Sequence, residues 1–211
     1  MNRITNYIRQ SLQDIYPPEE VKALTMLICC DMLCLDALDI YLGKDMILSE
    51  CKERELENII FRLQKNEPIQ YIRGFAEFDG RRFKVAPGVL IPRPETVELV
   101  ELVARESASA RRLLDIGTGS GCIAISLDKK LPEAEVEAWD ISEDALAIAR
   151  ENNKELAADV TFLQRDVLSD DWKKAPSFDV IVSNPPYVTE AEKKDICLLY
   201  TSDAADDMQC V

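Results

Sequence analysis

Apolar residues in the first third of the chain recur at the spacing of amphipathic helices. Two segments show this spacing, one with Ile4, Ile8, Leu12 and Ile15 and the other with Leu56, Ile59, Ile60 and Leu63. Between them, Pro17-Pro18 separates the first helix from a second that should begin near Glu19. That helix has an apolar stripe of Val21, Leu24, Leu27 and Ile28. The pattern predicts a small helical domain over residues 1–72.

After Gly74 the hydrophobic pattern changes to that of a short hairpin. The segments 75–78 and 82–85 flank Asp79-Gly80, a dipeptide that favours a tight turn between two strands. Three prolines follow, and we expect a hairpin and proline-rich linker over residues 73–94. Glu95 and Thr96 should then open a helix, whose apolar face is formed by Leu99, Val100, Leu102 and Val103.

The remaining pattern alternates short apolar runs with helical periodicity. The expected strands are 112–116, 136–139, 160–163 and 178–183, and the expected helices are 121–130 and 142–156. This alternation is typical of a doubly wound α/β sheet with parallel strands. It predicts an α/β domain over residues 95–195.

Charge and composition narrow the function classes. The chain has 25 basic and 39 acidic residues, a net charge of −14, which disfavours a nucleic-acid partner. No apolar run is long enough to cross a membrane, and the amino terminus lacks a signal-peptide pattern, so we expect a cytoplasmic location.

Residue types that bind metals or form disulfides show no recognisable pattern. The chain has no His, and its seven Cys include no Cys-x-x-Cys pair, so no metal site or disulfide framework is expected. The thiols are predicted to be reduced and mostly buried, with Cys30 and Cys34 in the helical core.

A glycine-rich segment follows the first strand of the α/β domain and reads Asp115-Ile116-Gly117-Thr118-Gly119-Ser120-Gly121. Alternate glycines let the backbone turn tightly and approach a ligand at the start of a helix. The G-x-G-x-x-G dinucleotide pattern is not met, because Cys122 stands two residues after Ser120. Asp140 ends the next strand, where a carboxylate can accept both hydroxyls of a ribose. The alternative is a purely structural loop.

A second candidate site follows the last predicted strand and reads Asn184-Pro185-Pro186-Tyr187. The Asn184 side-chain oxygen and the Pro185 carbonyl can accept hydrogen bonds from both hydrogens of a planar NH2 group. Two such acceptors stabilise positive charge that develops on that nitrogen when it reacts. Tyr187 could stack on the substrate. The alternative is a simple turn.

These motifs resemble those of known methyltransferases. The glycine segment resembles motif I of class I S-adenosylmethionine-dependent methyltransferases, which have a Rossmann-like fold, and Asn-Pro-Pro-Tyr resembles the motif of amino-methyltransferases. The stretches 67–74 and 90–96, Glu-Pro-Ile-Gln-Tyr-Ile-Arg-Gly and Leu-Ile-Pro-Arg-Pro-Glu-Thr, closely resemble the PrmC/HemK family of release factor glutamine-N5 methyltransferases. The resemblance covers about residues 1–195. It implies methyl transfer from S-adenosylmethionine to a glutamine side-chain nitrogen in a peptide-chain release factor.

The resemblance also implies roles for individual residues. Cofactor-binding positions are Asp115, Gly117, Thr118, Gly119, Ser120, Gly121, Asp140, Asp166, Val167 and Asn184. Among them, Asp140 would bind the ribose and Asp166 the adenine amine. The implied catalytic residues are Asn184, Pro185 and Tyr187, and the implied substrate-binding residues are Asn184, Pro185, Pro186 and Tyr187. Arg93 and Glu95 fit either a salt bridge at a helix start or a place at the substrate entrance.

The resemblance stops near Asp195, before the end of the family's sheet. Residues 196–211 lack α/β periodicity, so we expect an incomplete methyltransferase domain followed by a non-native tail. Two alternatives remain. One is an N6-adenine methyltransferase acting on nucleic acid, and the other is an inactive fragment that only binds a partner.

Overall fold

A computed structural model describes residues 3–44, 46–169 and 177–185. The described residues divide into two compact units, one up to Arg73 and the other from Gly74 onward. Within the residues described, no helix combines the length and apolar composition needed to span a membrane.

The first unit is helical. Its elements are α1 (Arg3–Leu12), α2 (Pro18–Met26), a π-helix (Leu27–Met32), α3 (Ala37–Tyr41), α4 (Glu50–Leu63) and α5 (Ile69–Arg73). Proline in the first turn suits the start of α2, because that position needs no N–H donor. Ser49 caps α4, since its hydroxyl oxygen accepts a hydrogen bond from the Lys52 N–H at 3.4 Å.

The predicted apolar stripes form the core of this unit. All but two of the predicted residues are buried, Ile15 and Leu27 being half-buried. The prediction for Cys34 is wrong, because that residue is exposed. The π-helix ends at Met32 and Cys34 takes a left-handed φ of 51°, so its helical spacing from Cys30 no longer applies.

The thiols are less buried than predicted. Of the five cysteines in the described residues, Cys29 and Cys122 are buried, Cys30 is half-buried, and Cys34 and Cys51 are exposed. Burial raises the pKa of Cys29 to about 11 and that of Cys122 to about 12. These two thiols are therefore protonated and unreactive near neutral pH.

The second unit begins with a hairpin and continues as an α/β sheet. Its elements are β1 (Phe75–Phe78), β2 (Arg81–Lys84), α6 (Thr96–Glu106), β3 (Arg112–Ile116), α7 (Cys122–Lys130), β4 (Glu135–Asp140), α8 (Glu143–Glu155), β5 (Val160–Gln164) and β6 (Val180–Ser183). The predicted turn joins β1 and β2, and Asp79 and Gly80 both have positive φ, as a type I′ turn requires.

The four later strands form one parallel sheet in the order β5-β4-β3-β6. Parallel strands bring all their carboxyl ends to the same edge, where ligands of open α/β sheets bind. β6 begins two residues later than predicted, because Asp179 caps the start of the neighbouring strand. Its carboxylate accepts the N–H groups of Arg111 and Arg112 at 2.7 and 3.0 Å, which holds the pKa of Asp179 below its usual value.

The core of this unit lies between the sheet and its helices. The helix α6 contributes Val100 and Val103, which are buried as predicted. Leu102 was also predicted to face the sheet, but it is 46% exposed. It lies two positions beyond Val100, and residues two apart on a helix point in different directions.

Candidate active site

The glycine loop, residues 117–121, follows β3 at the carboxyl edge of the sheet. Its three glycines all have left-handed φ, 73° at Gly117, 55° at Gly119 and 80° at Gly121. Space also demands glycine at the last position, where a Cβ would lie 3.1 Å from the Ile125 Cδ1 and 3.2 Å from the Ala149 Cβ. The loop conformation therefore excludes ordinary side chains at alternate positions.

The two faces of the glycine loop differ. A Cβ on Gly117 would meet no atom within 4 Å, and one on Gly119 would come no closer than 3.8 Å to Val89. The intervening Thr118 and Ser120 are only 5% and 2% exposed. The loop thus points its side chains into the protein and leaves open space at Gly117, where a ligand can approach the backbone.

Asp115 lies beneath this loop. It is 1% exposed, and its Oδ2 accepts a hydrogen bond of 2.6 Å from the Thr118 hydroxyl. Burial raises the pKa of Asp115 to about 6, although hydrogen bonds from Thr118 and from the Ala124 backbone favour the charged form. In this structure the carboxylate supports the loop from inside, and its contact with a cofactor stays a prediction.

Asp140 ties the end of β4 to the middle of the loop. Its Oδ2 accepts the Gly119 N–H at 2.9 Å, and its Oδ1 accepts the Ser142 N–H at 2.9 Å. The loop is further fixed because the N–H groups of Gly117 and Thr118 both donate to the Trp139 carbonyl. A carboxylate oxygen can accept more than one hydrogen bond, so Asp140 retains capacity for a diol.

The next strand contributes Asp166 and Val167 to the same edge. Asp140 pairs with Gln164 in the register of β4 and β5. Asp166 and Val167 lie two and three residues after Gln164, so they lie near Asp140 at this edge of the sheet. Asp166 is exposed, and its Oδ1 accepts the Leu168 N–H at 2.8 Å. Val167 is 38% exposed. The exposed Asp166 carboxylate suits the amine of a purine, and the apolar Val167 side chain suits the face of its ring.

On the other side of β3 lies β6, and Asn184 follows its last residue. Ser183 pairs with Ile116, so Asn184 and the glycine loop begin at the same level of the sheet. The Asn184 Nδ2 donates to the Thr96 hydroxyl oxygen at 3.2 Å. Asn184 is half-buried and Pro185 is exposed. The remaining predicted residues of this motif, Pro186 and Tyr187, lie outside the described residues.

Comparison with known proteins identifies the family. Residues 4–74 match the PrmC N-terminal domain, and residues 96–207 match the methyltransferase small domain. The chain is 77% identical to a release factor glutamine methyltransferase of Bacteroides thetaiotaomicron over 196 residues, 93% of this chain and 70% of the relative. It is 42% identical to the enzyme of the same name from Flavobacterium psychrophilum, over 89% of this chain and 67% of that one. The chain belongs to the release factor glutamine methyltransferase family.

Family membership confirms the resemblance seen in the sequence, the α/β methyltransferase fold class and the expectation of a methyltransferase. Among solved structures, the chain aligns in part with the Pyrococcus abyssi tRNA (uracil-54, C5)-methyltransferase in complex with S-adenosyl-L-homocysteine. It is 24% identical, with a TM-score of 0.44, over 54% of this chain and 28% of that one.

Two residues at this edge were not recognised as site residues from the sequence. The sequence pattern indicates only that Thr96 starts a helix, and its contact with Asn184 joins residues 88 positions apart. Asn152 is fully buried and bonded to the glycine loop. The available signal was an Asn on the same helical face as Leu146 and Ala149, where the spacing calls for an apolar residue.

Proposed function

We propose that this chain transfers a methyl group from S-adenosylmethionine to the side-chain amide nitrogen of a glutamine in a peptide-chain release factor. Its relatives carry the name of that activity. The observation that carries the proposal is the position of Asn184, which leaves β6 level with the glycine loop on the adjacent strand. A methyl donor on the loop and an amide held at Asn184 would therefore be neighbours.

The cofactor would lie along the carboxyl ends of β3, β4 and β5. The open face of the glycine loop would hold its methionine portion, Asp140 its ribose hydroxyls, and Asp166 and Val167 its adenine. The donor set suits such a ligand, because the loop offers close backbone approach and Asp140 a pre-positioned carboxylate. When bound, S-adenosylmethionine supplies an electrophilic methyl group on a sulfonium centre.

The substrate amide would be held by Asn184 and Pro185. The Asn184 Oδ1 and the Pro185 carbonyl accept hydrogen bonds from the two N–H groups, which aligns the nitrogen lone pair with the methyl group. A planar amide nitrogen is a weak nucleophile because its lone pair is delocalised. Both acceptors bind more strongly as the nitrogen becomes tetrahedral and positive, so they favour the transition state.

Thr96 would position the Asn184 side chain. Its hydroxyl oxygen accepts a hydrogen bond from the Asn184 Nδ2, 3.2 Å away, which restricts rotation of the Asn184 amide. The methylated nitrogen can release its extra proton to water, so the step requires no side-chain base. Pro186 and Tyr187 would complete the substrate site.

The expected partner is a protein, and direct binding of nucleic acid is not expected. A net charge of −14 repels a phosphate backbone and leaves a protein surface as the more favourable substrate. The helical residues 1–72 would recognise the release factor. Because release factors act on ribosomes, the site of action would be the cytoplasm.

A methyl-transfer assay tests this function. The chain is incubated with radiolabelled S-adenosylmethionine and, separately, a bacterial release factor, a DNA oligonucleotide and an RNA oligonucleotide. We expect label in the release factor and background in both nucleic acids. Label in an oligonucleotide at a comparable rate would favour an adenine methyltransferase, and cofactor binding without any transfer would favour an inactive fragment.

A further inference from the structure

Asn152 is a fully buried polar side chain in α8. Its amide makes three hydrogen bonds to two segments that are distant in sequence. The Oδ1 accepts the Lys84 N–H at 2.6 Å, and the Nδ2 donates to the Lys84 carbonyl at 3.1 Å and to the Ser120 carbonyl at 2.8 Å. Both Nδ2 hydrogens are thus used, so the side chain has one defined orientation.

On the hairpin side, Asn152 binds the outer edge of β2. Lys84 pairs with Phe75 across the hairpin, and both its N–H and its carbonyl engage the Asn152 amide. The Asn152 amide therefore binds this strand edge as a neighbouring strand would. Next to it, the Lys84 ammonium forms an ion pair with Glu151 on the surface.

On the loop side, the bond to the Ser120 carbonyl fixes the last peptide unit of the glycine loop. That peptide precedes Gly121, whose left-handed φ of 80° starts α7. Asp140 holds the middle of the same loop through the Gly119 N–H. The loop is thus bound at its middle by the half-buried carboxylate of Asp140 and at its end by the buried amide of Asn152.

We propose that Asn152 is a positioning residue that holds the glycine loop in its cofactor-binding geometry and couples that loop to the hairpin at Lys84. The inference rests on the proposed function, because it assigns the loop to the cofactor. Since one side chain binds both segments, ordering the loop with a ligand also orders the Lys84 peptide. Displacing the hairpin edge correspondingly weakens the loop.

The test compares Asn152→Asp with Asn153→Asp. The neighbouring Asn153 is the matched control, because its Oδ1 accepts the Val160 N–H at 3.3 Å and so supports β5 instead of the loop. Asn152→Asp keeps the acceptor for Lys84 but places a carboxylate against two carbonyl oxygens. We expect the Kd and KM for S-adenosylmethionine to rise by about 10-fold or more, with kcat at saturating cofactor nearly unchanged. Asn153→Asp should leave the Kd within about 2-fold.

If the role of Asn152 were purely structural, the substitution would change kcat and not the KM for the cofactor. Loss of folded protein lowers the apparent kcat and leaves the KM for the cofactor unchanged, and that result would overturn the proposal. Wild-type binding is measured first. Failure of the wild type to bind the cofactor counts against the proposed function, whereas normal binding by both wild type and Asn152→Asp counts against Asn152 alone.

Hydrogen exchange in the wild type provides a measurement that needs no variant. We expect S-adenosylhomocysteine to slow exchange of the Lys84 N–H, which Asn152 accepts. The Val85 N–H donates to the Gly74 carbonyl within the hairpin and is the internal reference. Equal changes at both amides, or no change at Lys84, would contradict the coupling.

Discussion

The glycine loop and Asn184 follow neighbouring strands of one sheet but are held in different ways. Backbone groups of the loop bind Asp140, Trp139 and Asn152, and its glycines occupy conformations that ordinary residues avoid. Asn184 is positioned through its side chain, by a hydrogen bond to the hydroxyl of Thr96. One region is thus shaped by its backbone and the other by side-chain atoms.

This difference separates the two parts of the proposed reaction, which are binding of the cofactor and transfer of the methyl group. Changes in residues that support the loop should alter cofactor affinity, because they move several backbone groups together. Changes at Asn184 or Thr96 should alter turnover, because they affect acceptors aimed at one nitrogen. Separate measurements of Kd and kcat therefore test whether the loop serves the cofactor and Asn184 the methyl transfer.

The largest effect is expected for Asn184→Ala. Loss of one preorganised acceptor at the developing charge should lower kcat by about 100-fold or more, with the Kd for S-adenosylmethionine nearly intact. Steady-state kinetics and calorimetry measure the two quantities. If cofactor binding were lost instead, with turnover per bound cofactor preserved, Asn184 would belong to the cofactor side.

Asp115→Asn tests the support beneath the loop. Because burial raises the Asp115 pKa from 3.8 to about 6, its ionisation destabilises the fold as pH rises through that interval. The shift corresponds to a destabilisation of about 3 kcal/mol. This destabilisation is present in full above about pH 6 and absent below about pH 4. The variant should therefore gain about 2 to 3 kcal/mol of unfolding free energy over the wild type at pH 8, and almost none at pH 4.

The Thr118 hydroxyl can still donate to the amide oxygen that this substitution introduces, so the hydrogen bond of the wild type is not lost. Denaturant unfolding at the two pH values gives the comparison. A loss of stability at pH 8 that is absent at pH 4 would mean that the charged carboxylate is needed by the fold.

Asp140→Ala should act on affinity. The ribose hydroxyls lose a charged acceptor and the Gly119 N–H loses its partner, so cofactor binding should weaken by about 1 to 3 kcal/mol. Calorimetric titration with S-adenosylmethionine measures it. If the affinity for S-adenosylmethionine were unchanged, Asp140 would only end a strand and would not bind the cofactor.

The smallest effect is expected for Thr96→Val, which keeps the side-chain shape but removes the hydroxyl. Asn184 then rotates more freely, and kcat should fall by about 3- to 10-fold without a change in cofactor affinity. Thr96→Ser retains the hydroxyl and serves as the control. A loss in Thr96→Ser with none in Thr96→Val would show that the Thr96 methyl group matters and the hydroxyl does not.

Local patterns predicted much of this site. Alternating apolar runs located β3 with the residues of the structure, and the glycine spacing located the turn that follows it. Both depend on short-range rules of backbone conformation. The order β5-β4-β3-β6 then brings Asp140 and Asn184 to the same edge, as a parallel sheet requires.

Contacts between distant segments were not predictable in the same way. The bonds from Asn152 to Lys84 and from Asn184 to Thr96 join residues 68 and 88 positions apart. They depend on how helices pack against the sheet and the hairpin, which periodicity does not specify. Cys34 shows the same limit locally, because the π-helix ends at Met32 and Cys34 itself adopts a left-handed φ.

Locating the transferred methyl group tests the proposed reaction and the role of Asn184 together. A release factor is incubated with the chain and S-adenosylmethionine, digested, and sequenced by tandem mass spectrometry, with Asn184→Ala in parallel. We expect one added methyl group on a glutamine side-chain nitrogen with the wild type and almost none with the variant. A methyl group on any other residue type, or equal modification by the variant, would contradict it.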